Sequence, residues 1–319
     1  MRLYGLLFAL ASCLAANAQG QEFPTRPVRI VFVVGAGGVG DGMARIVNER
    51  MAAALGQAFV LEHRPGAGGN IAMEAVVKSP ADGQTLLLTG PAVVINPALY
   101  RALPFDPFKD LVAISPIAYA PFALFVSGTS PANNVEQLIA AMRSRPDGAH
   151  YASVGVGTAG HLAAVLFSAA AGIEMTHVPY KSIQQAIPDL VSGEVQLVFN
   201  AYPPLAPMLQ GGRLKLMGFA TSKRLAALPG IPTLAESGLP GFEAAGWYLV
   251  LAPAATPRTI VVRLNDEFSR TLRQPEVIDG LDRLGLQAAP MSLAETGQFV
   301  SREAEKWGRA VRISGAKAE

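Results

Sequence analysis

The 319-residue chain has one cysteine and four histidines, and none of them falls at metal-ligand spacing. That cysteine, Cys13, lies in the opening stretch MRLYGLLFALASCLAANAQG, which has the layout of an export signal. One arginine precedes an apolar run from Leu3 to Leu10, and Ala16-Asn17-Ala18 supplies the small residues of a cleavage site after Ala18. Residues 1–18 are therefore read as a signal peptide. Cleavage leaves a chain starting at Gln19 with no disulfide, no thiolate nucleophile and no sulfur-ligated metal. A second route stays open, because Leu10-Ala11-Ser12-Cys13 resembles a lipoprotein box in which Cys13 is acylated. The short segment before the cysteine and the A-x-A site after it favour the free exported form.

Long apolar runs are also missing: nothing after the signal approaches the roughly 20 residues of a transmembrane helix. Charge is sparse, at 16% of residues and a net +2 that falls to +1 when Arg2 leaves with the signal. No cluster of Lys and Arg makes a nucleic-acid footprint, so no nucleic-acid partner is expected. There is no G-x-S-x-G elbow, no Walker A sequence and no H-E-x-x-H. No enzymatic activity and no cofactor are expected.

What the chain does contain is hydrophobic residues, 50% of the total, in short runs rich in Val, Ile and Phe that alternate with helical patterns. That alternation predicts an α/β fold with mainly parallel sheets flanked by helices. About 300 mature residues exceed what one core usually serves, so two domains are expected. A strand at Ile30 to Val34 leads to a helix that carries Met43, Ile46, Val47, Met51 and Leu55 on one face and stops at Gly56. The strand AFVLEH, the turn RPGAGG, a helix near Ile71 to Lys78 and a strand at Thr85 to Thr89 follow. The segment NPALYRALPFDPFKDL is too broken by proline for a long helix and reads as a surface connection. The pattern restarts at AISPIAYAPFALFVS, and after the strand YLVLAP two helices, Ile260 to Arg273 and roughly Leu293 to Val311, close the chain. A helix after a late strand returns the chain to its first domain. Domain 1 is thus placed at 24–124 plus 249–319, with domain 2, at 125–248, inserted into it.

Residues 35 to 40 read G-A-G-G-V-G, satisfying G-x-G-x-x-G between a strand and a helix, the setting of a dinucleotide fingerprint. Glu62 ends the next apolar run, near the offset at which a carboxylate holds a ribose hydroxyl. Export argues against a nicotinamide cofactor, and a plain tight turn satisfies the same pattern; Glu62 then reads as a strand-end surface residue. A second stretch, ASVGVGTAGHLAAVLF at 152 to 167, repeats the device of strand, small-residue loop and helix. Each helix is expected to start at a residue able to cap it, Asp41 in one case and Thr158 in the other.

One such loop per domain suits a binder that closes on an anion. A helix N-terminus offers free N–H groups and about half a positive charge. Charge-assisted bonds contribute about 1.5 to 3 kcal/mol each, so four or five offset a carboxylate's desolvation without an arginine. Neither loop contains Lys or Arg before its helix.

The motifs FPTRPVRIV, GGVGDGMARIV, LEHRPGAGGNIA, DGQTLLL, INPALY, YASVGVGTAGHLA, THVPYK, LPGIPTLAESGLPGFEAAGWYLVLAPAATP and a late KWG occur in this order. Through them the chain, from about Phe23 to its end, resembles the Bug-type or TctC-type extracytoplasmic solute receptors of tripartite tricarboxylate transport systems. The resemblance implies a two-domain, Venus-flytrap periplasmic binding protein of type II-like fold that closes on a small carboxylate. It implies membrane permease subunits as partners, and the receptor is expected to be a monomer. A receptor feeding a signalling partner is the alternative.

By position, the family's first ligand loop falls on Gly37, Gly38, Val39, Gly40 and Asp41. The second falls on Gly155, Gly157, Thr158, Ala159, Gly160 and His161. Val39 and Gly40 stand where glycine and threonine are usual, Gly160 where serine is, and Ser182 where glycine is. The lost hydroxyls suggest a less polar ligand than citrate. Thr158 serves as a plain cap, a ligand contact or both; His161 orients its helix or reaches ligand through water. Asn200 and Tyr202 either line the cleft or form a local turn before Pro203-Pro204, and Trp247 is a candidate for packing at the domain crossover.

Overall fold

The computed structural model describes residues 23–145, 148–225 and 227–318. The expected signal peptide at residues 1–18, its expected cleavage site and Cys13 lie outside the described residues.

The first lobe opens with β1 (Val28–Phe32), in which only Arg29 faces solvent. A strand covered on both faces needs such a near-continuous apolar run. The helix α1 (Val39–Leu55) lays Met43, Val47 and Met51 against the sheet and stops at Gly56 in the left-handed conformation. β2 (Phe59–His63) and β3 (Thr85–Thr89) flank β1 in parallel, joined by the short α2 (Asn70–Val77). After β3 come α3 (Ala92–Leu99) and α4 (Pro107–Asp110), then β4 (Leu111–Ala120).

Pro121 separates β4 from β5 (Phe122–Ser127), which belongs to the second sheet. The second lobe continues through α5 (Val135–Arg143), β6 (Ala149–Ser153), α6 (Ala159–Ala171) and β7 (Met175–Pro179). It ends with α7 (Ile183–Ser192), β8 (Leu197–Ala201), α8 (Ala206–Gln210) and β9 (Leu214–Phe219). β10 (Gly246–Pro253) carries the chain back to the first sheet, followed by α9 (Arg258–Thr271), α10 (Pro275–Arg283), β11 (Gln287–Ala288) and α11 (Leu293–Ser314). The sheet orders are β11-β4-β10-β3-β1-β2 and β7-β6-β8-β5-β9. α11 packs on α3 and β4 of the first lobe and reaches α6 of the second.

Four expectations need correction. Parallel pairing does not dominate: it is confined to β1, β2 and β3 in one sheet and β6, β7 and β8 in the other. The crossing strands β4, β5 and β10 run antiparallel to their neighbours, since a chain that leaves a lobe and returns reverses direction. The segment starting at Asn96 is not all surface connection, because Asn96 and Leu99 are buried in the last turn of α3. There Pro97 removes only one helical N–H bond. The chain closes on three helices, since α10 starts with Pro275 in its first turn and buries Val277 and Leu281. Finally, Asp41 does not cap α1. The N-cap is Gly38, three residues earlier, and Asp41 sits in the first turn, where its charge still complements the helix dipole.

Candidate functional site

β1, β2 and β3 run in parallel, so their carboxyl ends emerge along one edge of the first sheet. In open α/β sheets, that edge borders the ligand crevice. Here the three connections, at Val33 to Gly35, Pro65 to Gly69 and Gly90 to Ala92, form one wall of a cleft of about 1030 Å³. The opposite wall comes from the second lobe, where the β6–α6 loop contributes Val154, Val156, Gly157, Thr158 and Ala159 and the β7–α7 loop contributes Lys181. The crossing strands form the floor through Ala120, Phe122, Gly246, Trp247 and Tyr248.

The β6–α6 loop is held by its own side chains. Thr158 caps α6, accepting from the His161 N–H at 3.4 Å while its hydroxyl donates to the Gly155 carbonyl at 2.8 Å. The Gly157 N–H donates to Nδ1 of His161 at 3.1 Å. His161 is buried and stacks with Tyr151 and His177, its ring centroid 4.1 Å from that of His177. Burial, and secondarily His177, push its pKa down to about 4. The neutral ring therefore accepts the Gly157 N–H, and His161 is an internal brace of the loop.

Gly157 faces the other lobe. Its φ is +76°, and a Cβ there would lie 2.2 Å from Cδ2 of Leu99 on α3. Gly160 is constrained from behind, where a Cβ would meet the Phe199 carbonyl oxygen of β8 at 2.8 Å.

The first-lobe loop is held from outside the cleft. The Asp41 carboxylate accepts the Gly37 N–H at 3.4 Å and pairs with Arg45 at 3.2 Å, and Nε2 of His63 lies 3.0 Å from its other oxygen. The Arg45 guanidinium keeps this carboxyl below the usual carboxylate range, against the opposing effect of burial. His63 Nδ1 donates to the Val34 carbonyl at 2.9 Å, tying the end of β2 to the loop after β1. Glu62 is engaged by Arg64 and by Arg29 at 3.3 Å.

Of the residues singled out from the sequence, Gly157, Thr158 and Ala159 lie on the cleft wall. Gly160 and His161 lie behind it. On the first lobe the wall ends at Gly35. Gly37 and Gly38 are exposed in open space, Val39 is half-buried, and Gly40 and Asp41 are buried in the start of α1. Asn200 lies on β8 opposite Ala123, its amide donating to the Ala201 carbonyl at 3.4 Å, away from the cleft lining. Tyr202 lines a separate pocket beside Pro121.

The β2–α2 loop was read only as a turn, yet it forms much of the wall. Asn96 secures it, donating to Oδ1 of Asn70 at 2.7 Å and to the Gly68 carbonyl at 3.0 Å. Among the described residues, Lys181 is the one charged side chain on the cleft wall.

Two α/β lobes, joined by crossing strands and enclosing a cleft walled by loops from both, define a solute-binding protein of the periplasmic type. Residues 43–315 match the Tripartite tricarboxylate transporter family receptor, TctC, and the chain belongs to that family. BugT of Bordetella pertussis is 30% identical over 319 residues, covering 99% of this chain and 98% of that one. Rpa4515 of R. palustris, solved with adipate, is 34% identical with a TM-score of 0.80, covering 93% of this chain and 100% of that one. MatC from Rhodopseudomonas palustris, with bound malate, is 30% identical with a TM-score of 0.74, covering 91% and 100%.

Proposed function

We propose that the protein is an exported receptor that captures a small organic carboxylate between its lobes and delivers it to the permease subunits of a tripartite tricarboxylate-type transporter. The observation that carries this reading is the charge of the cleft wall. It presents Lys181 and the start of α6 at Gly157, Thr158 and Ala159, with no acidic side chain among the described residues. A carboxylate entering such a site meets a cation and the positive end of the α6 dipole, which offset its desolvation. Adipate and malate in the two related structures agree with that chemistry.

On this reading, residues 1–18 direct export and the receptor acts as a monomer, with no catalytic step and no cofactor. The lobes correspond to 24–124 with 249–319 and to 125–248; β5 (Phe122–Ser127) in the second sheet and β10 (Gly246–Pro253) in the first support this division to within three residues of each boundary. Exposed Gly38 contributes a main-chain donor as the lobes close, the Gly37 N–H being held by Asp41. Ligand favours the closed state because only there do both lobes contact it.

A thermal-shift screen against carboxylates, with NAD included, tests the reading. At a ligand concentration about 100 times Kd the folded state gains about 2.7 kcal/mol, a rise of a few degrees in Tm. A response to NAD and to no carboxylate would overturn it.

A further inference from the structure

We infer that the cleft selects a monocarboxylate with an apolar or aromatic body over dicarboxylates, tricarboxylates and amino acids. This narrows the carboxylate reading above and rests on it.

Charge comes first. Lys181 alone among the described wall residues carries a charge, so one ligand carboxylate is neutralised and a second meets no cation. An amino acid's ammonium meets no carboxylate on that wall.

The second observation concerns where another carboxylate would go. The N-terminus of α1 is the first lobe's counterpart of the α6 start, and a protein carboxylate already serves it. Asp41 accepts the Gly37 N–H and is paired with Arg45. Among the described residues, the first lobe's part of the cleft wall carries no cation to match Lys181 on the second.

The third is the wall itself. Phe32 and Tyr248 meet edge to face, their centroids 6.2 Å apart, and Gly40 leaves the room for both rings. Phe122 and Trp247 extend this aromatic surface across the floor. Of the polar side chains among them, Asn96 is turned to Asn70 and Gly68, Thr158 to Gly155 and His161, and Trp247 to Glu303, while Tyr100 and Tyr248 add phenol rings to the wall. A second carboxylate would lose its hydration to rings and engaged amides, whereas a methyl group or phenyl ring is favoured there.

Titration calorimetry with two matched pairs tests this on the purified protein. Hexanoate and adipate differ by one terminal carboxylate; 3-phenylpropanoate and phenylalanine differ by one ammonium. Hexanoate is expected to bind at least tenfold tighter than adipate, and 3-phenylpropanoate at least tenfold tighter than phenylalanine. Lys181→Met is expected to weaken hexanoate at least fivefold with the thermal transition unchanged. Adipate equal to or tighter than hexanoate, or phenylalanine equal to or tighter than 3-phenylpropanoate, overturns the inference and leaves the carboxylate reading standing. Binding of none of the four at millimolar concentration overturns the carboxylate reading, and the inference with it.

Discussion

Trp247 donates its indole N–H to a carboxylate oxygen of Glu303 at 2.6 Å, fastening the strand that re-enters the first lobe to the terminal helix. The same oxygen accepts the indole N–H of Trp307 at 2.8 Å, while Lys306 Nζ donates to the other oxygen at 2.5 Å. Both indoles and Glu303 are buried. One carboxylate thus satisfies two interior donors that would otherwise have no partner.

Replacing Glu303 by Leu strands both indole N–H groups and Lys306. Each orphaned donor costs about 1–3 kcal/mol, and breaking a buried charged pair from one side costs about 3–5 kcal/mol. Glu303→Leu is therefore expected to lose about 3–5 kcal/mol, and Glu303→Gln, which keeps one acceptor oxygen, clearly less. Urea unfolding followed by tryptophan fluorescence measures both. Equal losses in the two variants would show that the acceptor role is unimportant.

Gly40 is buried in the first turn of α1 with no room for a side chain. A Cβ would stand 2.7 Å from Cζ of Phe32 and 2.8 Å from Cε1 of Tyr248. Helix propensity alone favours Gly40→Ala by about 1 kcal/mol, but overpacking against rings costs about 1–3 kcal/mol, so the variant is expected to be net destabilised. Tyr248→Ala made alongside it should remove part of the clash. A double-mutant cycle in thermal unfolding reads the coupling; additive effects would mean that the rings yield freely.

Local chemistry was legible in the sequence wherever it decides the structure. Thr158 as a cap and Gly56 as a left-handed stop follow from side-chain and backbone preferences that act within one turn. The same logic misplaced the start of α1, because Asp41 is a good cap by type while the chain turns helical at Val39, behind a glycine with no capping side chain. Lys181, Asn96 and the Pro65 to Gly69 loop were not legible as one site, because strand order brings them together from separate stretches. The available signal was that parallel strands put their carboxyl-end loops on one edge. α10 was missed because its nine residues, between Pro275 and Gly285, are short for a periodic pattern.

His161 gives the fold a pH dependence of known sign. Burial and His177 lower its pKa from 6.5 to about 4, so between those values the unfolded chain binds more protons than the folded one. Stability is therefore fully present above about pH 6.5 and falls as pH drops toward 4. The shift corresponds to about 2–4 kcal/mol, and His177, also lowered by burial, adds in the same direction. Asp41, Glu236 and Glu295 are held below their ordinary values, so their contributions are lost only at more acidic pH. The interval from about pH 5 to 6.5 thus isolates the histidines. His161→Gln, whose amide oxygen accepts the Gly157 N–H, should flatten the slope there by about half or more. Guanidinium unfolding across that interval reads it; an unchanged slope would remove His161 from the account.

Gly157 sets the backbone of one lobe against Leu99 of the other, and its substitution separates binding from folding. At φ +76° an L residue is strained by about 1–2 kcal/mol, and the added Cβ would fall 2.2 Å from Cδ2 of Leu99. The strain acts whether or not ligand is bound, whereas the clash with α3 grows as the lobes approach. Gly157→Ala should thus lower Tm by a few degrees and weaken carboxylate binding by about tenfold or more, a difference of about 1.4 kcal/mol or above. Leu99→Ala in the same chain removes the obstructing methyls and leaves the backbone strain. The double variant should recover binding while staying no more stable than Gly157→Ala, since trimming buried Leu99 itself costs about 2–5 kcal/mol. Calorimetric titration with the carboxylate that most raises the parent protein's Tm, run beside thermal unfolding, distinguishes the two effects. If binding does not return in the double variant, the defect lies in the loop conformation rather than in the meeting of Gly157 with Leu99.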